Sequence, residues 1–433
     1  MEMLGWPAPA GLAQGWARSV RRESPVPLII KLIIISVFLP PGLSFYVAGL
    51  RFTVIRLIFL ISTPVLVARA ARLFSAGRMR FVFSDMLVPL TGLWMFMAVT
   101  FSQGAEMSLA HAGPEVLEFF IGYMATRTVL TEHGQALSFV KLLSGTIAVV
   151  AVLGALDSLT GRYLVLDTVN ELTGFGIGKQ EQTAIYRNGF LRATGPLEHS
   201  ILFGLACCVG LIMALSGCVR TRISVIIPCG LGVFLAGESA PMLAFVLGVT
   251  LLLYDRILND VPGKWAVLFA VVVIAVLVIR ALGKDPSTFI IQHFTLETQT
   301  GYYRLWVKGL VIDLLRQSPW FGFGFVEFSS HLSLPSIDNM WLAFATQYGY
   351  PGSVLLGLSI LGAMSRSTSG RRSNLITAEA KLGTTLSIIL FLIMLIANTV
   401  HIWGSDRILM GLLMGVRAHL GSLGHSNMDR VHT

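Results

Sequence analysis

Trp265-Ala266-Val267-Leu268-Phe269-Ala270-Val271-Val272-Val273-Ile274-Ala275-Val276-Leu277-Val278-Ile279 is the stretch that decides the fold class. A charge-free apolar run of this kind suits a helix crossing a hydrocarbon core about 30 Å thick. Similar blocks recur on both sides of it, in a chain of 433 residues that is 54% hydrophobic and 13% charged. Soluble domains carry roughly 25% charge, so an all-α, polytopic transmembrane helical bundle is expected. That composition excludes a disulfide scaffold, a nucleic-acid-binding domain and a disordered regulator, although the formal net charge is +9. The positive excess is assigned to topology first.

Cys207, Cys208, Cys218 and Cys229 lie in or beside apolar spans, with no Cys-x-x-Cys pair and no nearby His ligands, and read as buried thiols rather than a zinc site. Arg18, Arg21 and Arg22 before Leu28 to Val47 have the charge order of a signal peptide. The apolar stretch is too long and lacks a small-residue cleavage site, so it reads as a retained first span.

Apolar blocks between polar punctuation predict about 12 spans. They fall near Leu28 to Val47, Phe52 to Ala68, Val82 to Ser102, Val116 to Leu130, Leu137 to Leu156, Leu197 to Leu215, Ile223 to Leu235, Pro241 to Tyr254, Trp265 to Leu282, Met340 to Ala363, Leu382 to Val400 and Ile408 to Ala418. An N-terminus inside the cell puts Arg69, Arg72, Arg78, Arg80, Arg220, Arg222, Arg256, Lys264, Arg366, Arg371, Arg372 and Lys381 on the inner side. The short outer connections Gln103 to Pro114, Gly237 to Ala240 and Gly404 to Ser405 then carry no Arg or Lys, as the positive-inside rule requires. The expected organisation is an inner segment 1–27, spans 1–9 over 28–282 with an outer loop near 160–196, a large outer loop 283–337, spans 10–12 over 338–420, and an inner tail 421–433.

Within the large loop, Tyr302 to Leu315 places Tyr303, Val307, Leu310, Val311 and Leu314 at helical spacing, predicting an amphipathic helix. Its cations Arg304 and Lys308 share another face, which suits a helix lying along the outer headgroup level. Pro319-Trp320-Phe321-Gly322-Phe323-Gly324-Phe325 follows as an aromatic interfacial turn. No internal repeat or low-complexity tract is visible.

Positive charge on the outer side runs against the orientation rule. Arg187, Arg192, Arg304, Lys308 and Arg316 therefore read either as an anion site whose guanidinium forks grip phosphate, or as exposed loop cations and snorkelling anchors. Asp338, just before Met340-Trp341-Leu342-Ala343-Phe344-Ala345, reads either as a general base at a cavity mouth or as a helix N-cap. Glu198 and His199 at the start of another span leave the same two readings open, and Glu238 with Ser239 reads as an ordinary solvated turn.

Asp338-Asn339, nine residues, then Gly349-Tyr350-Pro351-Gly352 resembles the His-Asn-x9-Gly-x-x-Gly signature of the O-antigen ligase and O-antigen polymerase superfamily. Arg192-Ala193-Thr194-Gly195 is similar to its Arg-x-x-Gly stretch, Arg304-Leu305-Trp306 to its Arg-x-Trp element, and Pro319-Trp320-Phe321-Gly322-Phe323-Gly324 to its Pro-hydrophobic-Gly-x-Gly turn. The motifs occur in the family's order between Arg187 and Gly352, and elsewhere only the number and hydropathy of the spans agree.

The resemblance implies metal-independent glycosyl transfer without a cofactor, at the periplasmic face of the bacterial inner membrane, from an undecaprenyl-diphosphate-linked donor to an acceptor hydroxyl. Both termini would be cytoplasmic. It implies that Arg192 and Arg304 contact the diphosphate; Arg187, Lys308, His199, Glu198 and Asn339 are the further residues expected at the substrate site. Preorganised guanidinium groups in a water-poor site stabilise the charge of leaving diphosphate better than solvent does. Where the ligases carry His, this chain has Asp338. The expectation is therefore a polymerase joining lipid-linked repeat units into a surface or exopolysaccharide, with Asp338 orienting or deprotonating the acceptor. The alternatives are a ligase transferring polymer to lipid A-core and a secondary transporter of an anionic or lipid-linked substrate. A transporter usually has related halves and a midplane site, which this sequence lacks. Chain-length regulators or export proteins are expected partners, together with the bilayer.

Overall fold

The computed structural model describes residues 24–47, 50–132, 134–174, 186–187, 189–218, 223–286, 288, 292, 298–326, 337–365 and 374–423. Expectations for Arg18, Arg21, Arg22, Arg220, Arg222, Arg366, Arg371, Arg372 and the tail beyond residue 423 lie outside the described residues.

The described chain is mostly helical. In order come α1 (Leu28–Val37), β1 (Ser44–Val47), β2 (Leu50–Thr53), α2 (Val54–Ser75), α3 (Phe83–Gln103), α4 (Gly113–Val129), α5 (Gln135–Thr160) and α6 (Leu164–Thr173). They are followed by β3 (Tyr186–Arg187), β4 (Phe190–Leu191), α7 (Ser200–Leu215), α8 (Ile223–Leu235), α9 (Ser239–Ile257) and α10 (Lys264–Ala281). The chain closes with α11 (Thr298–Leu315), α12 (Met340–Met364), α13 (Asn374–Ile396) and α14 (Gly404–Leu423). The strands form two small antiparallel hairpins, β1 with β2 and β3 with β4.

Each apolar block predicted as a span is occupied by a helix, but the helices differ in reach. Among the described residues six are long and apolar enough to cross a membrane: α2, α3, α5, α9, α10 and Ala378–Ile396 of α13. The block Leu28 to Val47 is not one span. Its helix stops at Val37, and Pro40-Pro41 lead into the β1–β2 hairpin, because proline lacks the N–H that continues a helix. The apolar helices α1, α7 and α8 are also short.

Two helix pairs form the centre. α14 packs on α4 and α12 on α3. Small residues permit the first approach: a Cβ at Gly122 would lie 3.2 Å from the Ile408 carbonyl, and one at Gly411 would lie 2.9 Å from that of Phe119. α10 has no buried residue, so its apolar surface faces outward all round.

Candidate functional site

Arg192 is placed by an anchored turn. Asp157, at the end of α5, accepts from the Gly195 N–H at 2.8 Å with one oxygen and from Leu164 N–H at 3.0 Å with the other. The Ala193 N–H donates to the Leu235 carbonyl at 3.0 Å, tying the same turn to the end of α8. Gly195 has φ +57°, a left-handed conformation that disfavours a side chain, and its Cα faces the α5 backbone at Val150 and Gly154. These bonds bring the Arg192 guanidinium within 3.3 Å of Glu238, between α8 and α9. Glu238 also accepts from the Ser200 hydroxyl at 2.8 Å, and Arg187 donates to the neighbouring Gly237 carbonyl at 2.7 Å.

Arg304 is placed by a second lock. Val307, Val311 and Leu315 of α11 bury their side chains with Ala345 of α12, flanked by Leu310, Phe323, Ile337 and Leu342. The amphipathic stripe thus seats on the protein, where the sequence predicted the membrane surface. The aromatic turn after α11 fits into a break in α12 at Gly349 (φ 73°, ψ 172°). There Phe323 N–H donates to Thr346 O at 2.7 Å, Gly324 N–H to Gln347 O at 3.2 Å, and Tyr350 N–H to Pro319 O at 2.9 Å. A Cβ on Gly349 would collide with the Trp320 carbonyl. The Pro-Trp-Phe-Gly-Phe-Gly and Gly-x-x-Gly motifs are therefore two halves of one joint. Past it, Arg304 lies 4.0 Å from the Asp338 carboxylate.

The two locks meet in one electrostatic neighbourhood. Glu238 feels Arg187, Arg192 and Arg304. His199 feels both Arg192 and Asp338, and His401 feels Asp338 as well as Arg407 and Glu115. Burial raises the Glu238 carboxyl above its ordinary value, and Arg192 opposes that rise. Burial and Arg192 lower His199, while burial and Arg407 bring His401 down to about 4. Both imidazoles are thus neutral near pH 7. Trp403 stands between them, edge-on to His199 at 5.6 Å and stacked on His401 at 5.5 Å.

The Nε–H groups of Arg192 and Arg304 are both buried without a hydrogen-bond partner among the described residues. Unsatisfied buried donors on a cation cost free energy unless an acceptor arrives. Three guanidinium groups facing two carboxylates leave a positive excess, which suits an oxyanion ligand. Next to this cluster, across Glu198 and Trp403, lies a cavity of about 220 Å³. Its walls mix Arg51, Arg56 and Arg407 with Glu115, Glu118 and Glu198. Arg56 pairs with Glu118 at 2.7 Å, Arg407 pairs with Glu115, and Glu198 accepts from Trp403 Nε1 at 2.9 Å.

The residues singled out from sequence divide in three. Arg187, Arg192, His199, Arg304 and Asp338 come together. Glu198 and Asn339 stand at the rim but hold the fold: Asn339 caps α12 by accepting from Leu342 N–H at 3.0 Å and donates to Asn398 O at 2.8 Å. The helix cap is thus Asn339 rather than Asp338. Lys308 points from the exposed side of α11. His199 also caps its helix, accepting from Ile201 N–H at 3.0 Å through Nδ1, which leaves Nε2 as the protonated nitrogen of the neutral ring. Asp157, His401 and Trp403 went unmarked, and Glu238, read as an ordinary solvated turn, instead pairs with Arg192 and Ser200. For Glu238 the usable signal was a carboxylate in a short outer turn between two apolar blocks.

A bundle of apolar helices, six of them long enough to cross a membrane among the described residues, with an arginine and carboxylate cluster at one end, defines a multi-pass membrane protein. Residues 223–357, a segment that carries Glu238, Arg304, Asp338 and Gly349, match the family described as O-antigen ligase, which supports the O-antigen ligase and polymerase superfamily. Members of that family are ligases and polymerases of the membrane glycosyltransferase kind. The comparison with curated proteins returns no match.

Proposed function

We propose that the protein polymerises undecaprenyl-diphosphate-linked oligosaccharide repeat units at the periplasmic face of the inner membrane, by glycosyl transfer that uses no metal. The observation that carries this reading is the meeting of Arg192 and Arg304, from separate locks, around unsatisfied Nε–H donors. In the reaction an acceptor hydroxyl attacks the anomeric carbon of the donor glycan. The bond from that carbon to the diphosphate oxygen breaks, and its electron pair leaves with the diphosphate. Arg192 and Arg304 meet the charge that develops there, and such preorganised donors are worth about 3 kcal/mol each in comparable sites. The hydroxyl proton passes to Asp338. In the ligand-free site Arg304 faces Asp338 at 4.0 Å, so a diphosphate that draws Arg304 away also releases the carboxylate to act as a base.

A ligase is the second reading, and one observation favours it. Although position 338 is Asp, its carboxylate charge acts on the imidazoles of both His199 and His401, so histidine lies within its electrostatic reach. The family match favours either transfer reaction over transport. Loss of the gene separates them: single lipid-linked repeat units accumulate if the protein is a polymerase, and long unattached chains accumulate if it is a ligase. Movement of substrate into vesicles with no change in glycan length would overturn both.

A further inference from the structure

A further cavity lies at the other end of the helices. It measures about 850 Å³ and lies between α2, the turn before α3, and the ends of α4 and α14. Arg69, Arg72, Arg78, Arg80 and Arg127 line it together with His419, and among the described residues no Asp or Glu does. The site described above shares none of these residues.

Three features show that the arginines are arranged rather than merely numerous. Arg127 is fully buried, held by both Asp85 oxygens at 2.9 Å and donating to the Arg80 carbonyl at 2.7 Å, so it fixes the floor of the cavity and the segment that leads into α3. Arg69 is steadied by donating to Thr128 O at 3.0 Å. The turn after α2 folds back, with Arg78 and Met79 N–H both bonded to Leu73 O, so that Arg78 and Arg80 face Arg69 and Arg72 across the space. Arg69, Arg72 and Arg78 are exposed. The positive-inside rule accounts for cations on this flank, but it asks neither for a concave arrangement nor for arginine in place of lysine. Arginine is the residue that grips phosphate oxygens in pairs.

The remaining wall is apolar. Pro64, Val65 and Leu73 of α2 line it, and Val65, like Ile61 one turn earlier, belongs to the exposed apolar surface of that helix. A ligand with a phosphate head and a hydrocarbon tail fits both walls at once. Basic pockets between membrane helices on the cytoplasmic side are known to take anionic lipid headgroups in this way.

We propose that this cavity is a binding site for the phosphate headgroup of an anionic membrane lipid. The head sits among Arg69, Arg72, Arg78 and Arg80, and the acyl chains run along Val65 toward the bilayer. The site is independent of glycosyl transfer at the opposite end.

The test is native mass spectrometry of the full-length protein in detergent, with cardiolipin, phosphatidylglycerol and phosphatidylcholine as probes and inorganic pyrophosphate as competitor. The expected result is at least about tenfold preference for the anionic lipids, falling at least about fivefold in Arg72→Ala/Arg78→Ala and weakening with salt, as expected for exposed charges. The single variant Arg78→Glu, on an exposed turn, should lose retention as well. Retention unchanged in both variants would overturn the proposal. Displacement of the lipid by pyrophosphate at equal concentration would also overturn it, by showing a soluble anion as the natural occupant.

Discussion

The two ends of α2, α4 and α14 use the same residue type for different purposes. At one end Arg51, Arg56 and Arg407 share a small cavity with Glu115, Glu118 and Glu198, and beside it Arg192 and Arg304 face Glu238 and Asp338. At the other end five arginines line a cavity several times larger, with no Asp or Glu among its described lining residues. Where cations stand against carboxylates, geometry is fixed and most of the charge is offset, so an incoming diphosphate must compete for individual N–H groups. Where no carboxylate lines the space, the exposed cations are left to an incoming anion. The first arrangement suits chemistry at a defined atom, and the second suits retention of a headgroup.

Substitution at the two ends should separate these roles. Arg192→Ala and Arg304→Ala are expected to reduce chain extension by about 100-fold or more, the loss of one preorganised donor. Arg72→Ala should change extension by less than about twofold, since surface charges far from a site contribute little. Gel analysis of glycan length at matched protein level measures both, and equal losses at the two ends would erase the distinction. Asp338→Asn keeps the shape and removes the proposed base, and a loss of about 100-fold is expected in single-turnover transfer. Full activity would move the base elsewhere.

Smaller effects sharpen the account of how the site is held. Gly349→Ala places a methyl group against the Trp320 carbonyl and should unseat the turn that carries α11, lowering the melting temperature and transfer activity together. Glu238→Gln should cost about tenfold in activity, because Arg192 loses its ionic partner while the Ser200 contact remains possible. The pH dependence of stability follows from His401. Its folded value of about 4 lies below the ordinary imidazole value near 6.5, so the unfolded chain binds the proton first as pH falls. Stability from this group is complete above about pH 6.5 and is lost progressively toward pH 4. The melting temperature should therefore fall between pH 7 and pH 5, and His401→Gln should flatten that fall.

The helices were legible from sequence because hydropathy reports burial in lipid directly. Ile223 to Leu235 coincides with α8, and Val82 to Ser102 is displaced from α3 by a single residue at each end. Pro40-Pro41 were visible too, but a running average of apolar residues passes over the bond that each proline removes. Arg192, Arg304 and Asp338 were marked by motif and by their position against the charge rule, and the structure brings them into one neighbourhood. The interlocking of the aromatic turn with the break at Gly349 was hidden, since each motif looks like an ordinary turn until both backbones are present. Glu238 was misread for the opposite reason: a carboxylate in a short turn is usually solvated, and its burial depends on Arg192 and Ser200 arriving from elsewhere in the chain.

Binding of a polyprenyl diphosphate to the purified protein, compared across Arg192→Ala, Arg304→Ala and the double variant, tests the shared diphosphate site most directly. Each single change should weaken binding by about tenfold or more, and the double variant should be weakened by less than the product of the two, as for groups that grip one ligand together. Undiminished binding in either single variant, or losses that multiply as for independent sites, would contradict a single hollow formed by both arginines.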